Sequence, residues 1–377
     1  MVSIWEEAFF TTQDVVIVGG GFAGLWSAFY LKKKNPKARI TVLEKCVTPT
    51  GASTRNAGFA CFGSLSELMY DVKTMGVDPM LELVAMRYKG LKRIQKHFGK
   101  RIDFDLCGGY ELFYEPTQYT TNELENSARY LNALLKPITG AKNTFQLANE
   151  DLVKFGLSNA QHLVKNNFEG YLHSGKLVQQ LLQKIQGMGV QVFNGIEVKS
   201  FAGRSGLVHL KTAQQLNFAA TQLLICINAF AKDLLPATNI TPARGQVLVT
   251  SPIKNLLFNG TFHSEEGFYY FRNLGNRVLL GGGRNTAIAE EETVDQSTSP
   301  FIQHELERYL AEIVLPNCKE PYTIEHRWAG IMGMGADKIP VVKKVEPGVF
   351  CALGLGGMGV ALAPVLGEKA AKLLLEH

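Results

Sequence analysis

Three glycines near the start of the chain, Gly19, Gly21 and Gly24, have the G-x-G-x-x-G spacing of loops that bind phosphate groups. The apolar residues 15–18 precede them and predict a buried strand. In such a loop the first glycine permits a tight turn, the second lets the backbone approach a pyrophosphate, and the third lets the next helix pack on the strand. The phosphates then lie at the positive N-terminus of that helix. The pattern predicts a dinucleotide-binding loop.

An acidic residue follows the glycines at the sequence spacing that a dinucleotide-binding unit requires. Glu44 ends a second predicted strand, residues 39–44, and lies twenty residues after Gly24. A carboxylate at this position of a βαβ unit accepts hydrogen bonds from ribose hydroxyls. Because strand, loop, helix, strand and acid occur in order, a dinucleotide site is favoured over a glycine-rich turn in another kind of α/β protein.

Hydrophobic periodicity predicts the elements that position these residues. The predicted helices cover residues 65–98, 121–135, 171–187 and 301–315. The predicted strands cover residues 190–193, 206–212, 222–227, 267–271 and 277–281, with two more between residues 101 and 115, at 103–106 and 110–114. The last segment, 348–374, is predicted to be a strand, a glycine loop and a helix. Segments typical of a nucleotide-binding unit thus alternate with segments that are not.

The composition of the 377 residues is that of an ordinary globular protein. A net charge of +5 at pH 7, partly in local runs such as residues 32–34, argues against a nucleic-acid partner. The six cysteines lack C-x-x-C spacing and the eight histidines are dispersed, so no metal is expected, and His173, His263 and His326 are interpreted as structural or surface residues. We see no secretory signal and no apolar run of membrane-spanning length, and we expect a reducing cytoplasm.

Four segments together resemble the D-amino acid oxidase superfamily of FAD-dependent oxidoreductases. They are residues 19–24 with Glu44, the Gly-Ala-Ser-Thr-Arg-Asn-Ala-Gly loop at 51–58, Arg-Gly-Gln at 244–246, and the glycine-rich residues 354–364. The second segment is similar to the G-A-S-x-R-N-x-G loop of amine oxidases of the γ-glutamylputrescine oxidase type, with glycine oxidases as further relatives. The resemblance runs nearly end to end and implies an enzyme that uses FAD.

The fold implied is α/β, with a Rossmann-like FAD-binding domain interleaved with an α+β substrate domain built on a mixed sheet. We assign residues 1–90, 165–240 and 325–377 to the first domain. Residues 91–164 and 241–324 form the second. The chain therefore crosses between the domains several times.

Loop chemistry and the resemblance together predict the residues that bind FAD. They are Gly19, Gly21, Phe22, Ala23, Gly24, Glu44, Lys45, Ala52, Ser53, Arg55, Asn56, Ala57, Gly58, Val198, Asn228, Ala229, Gly330, Gly356, Gly357, Met358, Gly359 and Val360. Polar groups of residues 51–58 can meet phosphate oxygens or the flavin edge, although a turn with a structural arginine is an alternative. The glycines of residues 354–364 leave room for a flat ring, and the helix after them presents its positive end to the flavin, although a helix-packing loop is an alternative.

FAD is expected to be bound without a covalent link. The segment that begins at Trp328 offers no cysteine where sarcosine oxidases attach flavin, and Arg55 occupies the region where some relatives use a histidine. Bound FAD implies hydride removal from a substrate carbon, while the protein supplies position and electrostatics. A substrate amine must be neutral when the hydride leaves, so a nearby base is possible, but an amine that is already deprotonated needs none.

Three residues are predicted to lie on the substrate side, namely Tyr269, Arg272 and Arg284. By resemblance, Tyr269 stands where related oxidases have a substrate-side tyrosine. Because strand side chains alternate, Tyr269 shares a face with Phe271, and Tyr270 shares the other face with Arg272. An aromatic strand packed on its neighbours and a surface arginine in a turn remain alternatives.

One departure from the family pattern narrows the substrate. In amino-acid-specific relatives an arginine in a W-x-G-x-R-P-like segment binds the substrate carboxylate. Here the segment after Trp328 has Met332 at that position. A thioether cannot neutralise a carboxylate, so the sequence favours an apolar or elongated amine over a simple α-amino acid.

The sequence therefore predicts FAD-dependent oxidation of a C–N bond in a small amine, secondary amine or amino acid, giving an imine that hydrolyses, with O₂ or an unknown electron acceptor. An alternative is oxidation of a C–O bond in a 2-hydroxy acid, because one fold supports several chemistries. A further alternative is modification of a wobble nucleoside in tRNA, which the modest charge disfavours. A flavin-binding partner protein without turnover is possible but has no support in the sequence.

Overall fold

The structure is a computed structural model that describes residues 3–114, 119–157 and 159–377. Its strands are β1 (Thr12–Val18), β2 (Ile40–Glu44), β3 (Phe59–Ala60), β4 (Gly109–Tyr114), β5 (Phe145–Leu147), β6 (Ala160–Asn166), β7 (Gly170–Tyr171), β8 (Gln191–Asn194), β9 (Val198–Arg204), β10 (Leu207–Thr212), β11 (Asn217–Ile225), β12 (Thr241–Thr250), β13 (Thr261–Ser264), β14 (Tyr269–Leu274), β15 (Arg277–Gly282), β16 (Ile324–Met334), β17 (Val341–Glu346) and β18 (Val349–Leu353). Its α-helices are α1 (Ile4–Glu6), α2 (Phe22–Lys34), α3 (Ala52–Arg55), α4 (Leu65–Met75), α5 (Val77–His97), α6 (Thr121–Thr139), α7 (Asp151–Phe155), α8 (Ser174–Gln186), α9 (Pro300–Tyr309) and α10 (Gly359–Leu375).

The first sheet contains the predicted dinucleotide unit. Its order is β17-β18-β11-β1-β2-β8, and β10 and β9 extend it from β11. Strand β1 pairs in parallel with both β2 and β11, at the centre of the sheet. Val15, Val16, Ile17 and Val18 are all buried, as expected of a strand covered on both faces. The carboxyl ends of these strands point at the glycine loop, where α/β proteins bind ligands.

Glycines allow the helices of this half to pack at backbone contact. A Cβ on Gly24 of α2 would overlap the carbonyl oxygen of Gly19, so the third glycine of the loop does hold helix against strand. A Cβ on Gly367 would lie 2.6–2.7 Å from the backbone at Trp26 and Ser27, where α10 crosses α2. Close helix crossing therefore depends on the absence of side chains at these positions.

The second sheet is mixed, with the order β16-β12-β15-β14-β13-β4-β6-β5. Its pairs are antiparallel except that β13 runs parallel to β4. Phe262 of β13 lies opposite Phe271 of β14, and their rings stack with centroids 4.7 Å apart in the core on one face of the sheet. The two sheets confirm the predicted α/β class with a mixed second sheet.

Several predicted elements differ from the structure. The helix predicted over residues 65–98 is two helices, because Gly76 adopts a φ of +89° between α4 and α5. Residues 103–106 form no strand and make a single bridge, Asp105 to Tyr171, because Asp103 is left-handed and turns the chain. The sequence did not predict β3, β5, β6, β7, β9, β12, β13, β16 or β17. Residue 115, the end of one predicted strand region, lies outside the described residues.

The predicted domain boundaries stay a prediction. Strand β16 pairs along its length with β12, so a boundary at residue 325 separates two strands that share hydrogen bonds. Strand β6 likewise continues past residue 164 within the second sheet. Among the described residues, no helix combines the length and apolar character needed to cross a membrane.

We expect Gly90→Ala to destabilise the protein even though alanine is the better helix former. A Cβ on Gly90 of α5 would overlap the carbonyl oxygen of Ala361 in α10. Overpacking costs about 1–3 kcal/mol, which outweighs the gain of about 1 kcal/mol in helix propensity. Because the overlap is with backbone, the cost should lie near the upper end of its range, and denaturant unfolding should show a net loss of about 2 kcal/mol, the difference between these two effects.

Gly203→Ala in β9 is the matched control, because no atom lies within 4 Å of the added methyl group. Its unfolding free energy should stay within about 0.5 kcal/mol of wild type. Equal stability of the Gly90→Ala protein and wild type would contradict the packing of α5 on α10.

Candidate active site

A cavity of about 920 Å³ runs from the glycine loop after β1 to the strands of the second sheet. It is lined by the ends of β1 and β2, by residues 51–57, by residues 354–362, and by β14 and β16. All predicted FAD-binding residues except Gly24 and Gly58 line it. This volume lies near the upper end of the range of small-molecule sites.

The glycine loop and the end of β2 form one end of the cavity. The backbone N–H of Gly20 donates to Oε2 of Glu44 at 2.8 Å, and the N–H of Cys46 donates to Oε1 at 3.0 Å. Gly19 has a φ of +112°, and a Cβ there would lie 2.6 Å from the carbonyl oxygen of Cys226. The carboxylate predicted to bind ribose is therefore held beside the loop predicted to bind pyrophosphate.

Residues 51–58 pack directly on the N-terminus of α2. The N–H of Phe22 donates to Oγ of Ser53 at 2.8 Å. The Asn56 side chain donates to the carbonyl oxygens of Ala52 and Ser53, and its Oδ1 accepts from the N–H of Gly58. Ser53 and Asn56 thus fix the loop as well as line the cavity.

Arg55 has a partner that the sequence did not predict. Its Nη1 donates to the carbonyl oxygen of Ala329 at 2.7 Å, and Nε1 of Trp328 donates to the carbonyl oxygen of Arg55 at 2.8 Å. These two bonds tie residues 51–58 to β16. Arg55 thus makes a structural contact and also lines the cavity, and its part in binding FAD stays a prediction.

A single asparagine anchors the glycine-rich loop before α10. Oδ1 of Asn228 accepts from the N–H groups of Gly354 and Leu355 at 3.0 and 3.3 Å. Gly356 has a φ of +52°, and a Cβ there would have no neighbour closer than Sδ of Met334 at 4.0 Å. The loop is held in place while the space in front of it stays open, which fits a flat ring better than a packed side chain.

The two predicted FAD-binding residues that do not line the cavity, Gly24 and Gly58, allow close packing of the backbone. Gly24 lies against Gly19, as described above. Gly58 has a φ of +74°, and a Cβ on it would overlap the carbonyl oxygen of Leu172 and lie 3.1 Å from Nη2 of Arg272. The cradle of glycines, the held carboxylate and the open loop together fit a dinucleotide that carries a flat ring.

The placement of Tyr269 corrects its predicted substrate-side role. Its ring stacks on Tyr309 with centroids 4.2 Å apart, and its hydroxyl donates to Glu305 at 2.8 Å. Tyr269 does not line the cavity, whereas Tyr270 does. The reason is strand alternation, since Tyr269 shares its face with Phe271, which lies in the core.

Arg272 shares the cavity-side face but does not line the cavity. Its Nε donates to the carbonyl oxygen of Ala57 at 2.8 Å, and its guanidinium lies 4.8 Å from the ring of Tyr171. Burial lowers the pKa of Arg272 to about 10. Of the three predicted substrate-side residues only Arg284 lines the cavity, with its guanidinium 5.8 Å from the ring of Phe268.

An aromatic and ionisable wall faces the cavity beside Tyr270. His263 lies opposite Tyr270 in the β13–β14 pair, and the Phe59 ring meets both edge-on, at 5.1 and 5.7 Å between centroids. Nε2 of His263 is 3.1 Å from Oε2 of Glu169. Of the two interpretations of His263 as a structural or a surface residue, its burial excludes the second, and it also lines the cavity. The sequence analysis missed this wall because it did not predict β13.

Burial and charge act in opposite directions at this wall. Burial lowers the pKa of His263, but the Glu169 carboxylate outweighs it, so the pKa lies above the ordinary histidine value. Burial raises the pKa of Tyr270 to about 12. Burial also raises the pKa of Cys61, whose Sγ lies with a nitrogen of His263 and an oxygen of Glu169 in a group spanning no more than 4.8 Å. The expectation that no metal is needed stays a prediction.

Four charged side chains form a second cluster on the cavity lining. Lys338 Nζ lies 2.7 Å from Asp71 and 3.2 Å from Glu67, and Arg87 Nη1 lies 3.1 Å from Glu67. Burial raises the pKa of Asp71. Burial also acts to raise the pKa of Glu67, but Arg87 and Lys338 outweigh it and lower that pKa. No sequence signal pointed to this cluster, because residues of α4 and α5 meet one that follows β16.

The Arg244 segment, one of the four that carry the resemblance, lies next to the cavity and stabilises a loop. Arg244 binds Glu291 through Nε and Nη2 at 2.9 and 2.7 Å, and both side chains are buried. Gln246 donates to the same carboxylate and to Ser299. These bonds attach the segment before α9 to β12.

We expect Arg244→Met to destabilise the protein by about 3–5 kcal/mol, because the change leaves the Glu291 carboxylate buried without its cation. Denaturant unfolding measures the loss. Arg308→Met is the control: Arg308 pairs with Glu305 and Glu312 on an exposed helix face, and it should cost less than about 1 kcal/mol. Similar losses of unfolding free energy in the two variants would show that the buried pair contributes no more to stability than the exposed one.

Similarity to known proteins extends over nearly the whole chain. The sequence pattern of the FAD dependent oxidoreductase family, DAO, matches residues 14–373. The probable oxidoreductase OrdL of Haemophilus influenzae is 26% identical over 384 residues, which cover 96% of this chain and 83% of the relative. The gamma-glutamylputrescine oxidoreductase of Escherichia coli is 24% identical, with 96% and 84% covered. The crystal structure of glycine oxidase from Geobacillus kaustophilus superposes with a TM-score of 0.77 at 22% identity, with 97% and 95% covered. The predicted resemblance is confirmed, and the chain belongs to the DAO family of FAD-dependent oxidoreductases.

Proposed function

We propose that this FAD-dependent oxidoreductase oxidises a C–N bond of an amine or amino acid. The observation that carries the proposal is the wall of Phe59, His263 and Tyr270, which faces the same cavity as the flavin-loop residues 356–359. The wall combines aromatic surface with two polar groups, the His263 imidazole and the Tyr270 hydroxyl, and apolar linings with a few placed polar groups are typical of sites for small organic substrates. The names of the relatives, gamma-glutamylputrescine oxidoreductase and glycine oxidase, also refer to amine-containing substrates.

FAD, when bound, supplies the redox chemistry by accepting a hydride from the substrate carbon. The chain supplies position and electrostatics. Glu44 would bind the ribose, and the N–H groups at the start of α2 would bind the pyrophosphate. Helix α10 begins at Gly359, and its positive end favours negative charge on the ring held by the loop before it.

At the substrate end of the cavity, an uncharged residue stands where amino-acid-specific relatives are predicted to have an arginine that binds the substrate carboxylate. Met332 lines the cavity, and its Sδ lies 3.7 Å from the Cβ position of Gly357. An apolar side chain therefore lies beside the flavin loop, which supports an apolar or elongated amine as substrate.

A second function, oxidation of a 2-hydroxy acid, is favoured by Arg284. This residue lines the cavity, and none of the ion pairs within the described residues involves it. A guanidinium without a carboxylate partner is suited to a substrate carboxylate.

The electron acceptor, the absence of a covalent flavin link, the cytoplasmic location and the exclusion of RNA as a substrate stay predictions.

Anaerobic titration of the purified protein separates these functions. The visible spectrum is followed while amines, N-methylated amino acids and 2-hydroxy acids are added in turn. We expect an amine to bleach the flavin absorbance, because hydride transfer reduces the ring. Bleaching only by 2-hydroxy acids would replace the proposal by the second function. Absence of bleaching by every compound would overturn both.

We expect Glu44→Ala to weaken FAD retention about 10- to 100-fold, because hydrogen bonds to a charged group contribute about 1.5–3 kcal/mol each. The change removes the carboxylate that holds the N–H groups of Gly20 and Cys46 and that is placed for the ribose. Titration of the apoprotein with FAD, followed by flavin fluorescence, measures the dissociation constant. Glu346→Ala, at an exposed position of β17 in the same sheet, should bind FAD like wild type.

A further inference from the structure

We propose that His263, oriented by Glu169, accepts the proton of the substrate amine before the hydride leaves. The inference rests on the proposed oxidation of a C–N bond and adds a catalytic residue to it.

The register of β13 and β14 directs His263 toward the cavity. Phe262 and Phe271 face each other in the core, so their neighbours His263 and Tyr270 share the opposite face. Both of these side chains line the cavity. The Phe59 ring contacts both edge-on, and so limits the orientations open to the imidazole.

Glu169 fixes which ring nitrogen carries the lone pair. Its Oε2 lies 3.1 Å from Nε2 of His263, and its Oε1 accepts from Nδ2 of Asn166 at 3.2 Å. The Glu169 side chain is 1% exposed, so the carboxylate is held away from solvent. In the neutral imidazole the proton lies on Nε2, facing the carboxylate, and Nδ1 keeps its lone pair. Among the described residues, the hydrogen bond to Glu169 is the only one that the His263 side chain makes.

The pair lies next to the loop that is predicted to hold the flavin ring. Sγ of Cys61 is within 4.8 Å of a ring nitrogen of His263 and a carboxylate oxygen of Glu169, and it lies 3.9 Å from Sδ of Met358. One side chain thus separates the imidazole from residues 354–360.

The proton and electron movements balance. A substrate ammonium has no lone pair, so one N–H bond breaks, its electron pair stays on nitrogen, and the proton goes to Nδ1 of His263. The C–H bond then breaks with its electrons leaving as hydride to the bound FAD, and the nitrogen lone pair forms the C=N bond. The imidazolium is stabilised by Glu169 and returns its proton to solvent after the product leaves.

The groups around His263 determine how this step depends on pH. Those that face it from neighbouring elements, besides Glu169, are the thiol of Cys61, the phenol of Tyr270 and the more distant carboxylates Glu111 and Glu67, with Arg87 beside Glu67. The carboxylates raise the pKa of His263 and outweigh the opposite effect of burial. Proton acceptance therefore begins only as the pH rises through that raised pKa.

Imidazole NMR of the holoenzyme tests the pair without measuring activity. His263 signals, assigned by their loss in His263→Gln, should titrate above the ordinary histidine value in wild type. In Glu169→Gln the titration should move to lower pH, because the burial effect then acts with less opposition. An unchanged His263 titration in Glu169→Gln would overturn the proposed role of Glu169.

Anaerobic stopped-flow reduction by an amine that bleaches the wild-type flavin tests the step itself. At pH values above the raised pKa of His263 and below the pKa of the amine, we expect His263→Gln to reduce its flavin about 100-fold more slowly, the lower range for loss of a general base. The difference should shrink when the pH exceeds the pKa of the amine, because the substrate then arrives deprotonated. His304→Gln is the control and should match wild type.

Each result has a distinct meaning. Equal rates and pH profiles in wild type and His263→Gln would overturn the inference and leave the proposed function intact. If no amine reduces the wild-type flavin, the proposed function and the inference both fail. Flavin absorbance and circular dichroism verify that each variant is folded and loaded, and Glu169→Gln provides the second variant, with a midpoint expected at lower pH.

Discussion

The loop of residues 51–58 joins the two sheets, and the site depends on it. Ser53 binds the N-terminus of α2, and Arg55 binds β16 of the second sheet. Arg272 of β14 donates to the carbonyl oxygen of Ala57 from the other side. Loosening these bonds would move the predicted FAD-binding loop relative to the wall that faces it. Catalysis by position requires that this distance be held closely.

The face alternation of β13 and β14 divides structural from chemical residues. One face carries Phe262 and Phe271, which stack in the core of the second sheet. The other face carries His263 and Tyr270, which line the cavity. A shift of one residue in either strand would exchange these roles, so the packed phenylalanines fix the position of the polar wall.

Buried charges on the cavity lining are arranged in compensated groups. Lys338 and Arg87 face Asp71 and Glu67, and His263 faces Glu169. Buried ion pairs add little net stability relative to apolar packing, but removing one partner is costly. These groups are therefore better understood as fixing charge and orientation around the cavity than as stabilising the fold. Arg284 differs from them because it lines the cavity and no ion pair among the described residues includes it.

The sequence by itself determined the dinucleotide loop, the acid at Glu44, the glycine loop before α10 and the α/β class, because short-range spacing and periodicity encode them. It could not determine which face of β14 meets the cavity, since a period of two leaves both faces equivalent until a core chooses between them. The sequence therefore predicted Tyr269 on the substrate side, whereas Tyr270 is the tyrosine that lines the cavity. The pairing of His263 with Glu169 joins residues 94 positions apart, and that of Lys338 with Glu67 joins residues 271 apart. Only the tertiary structure decided these contacts, because they depend on how the strands and helices of the two halves pack together.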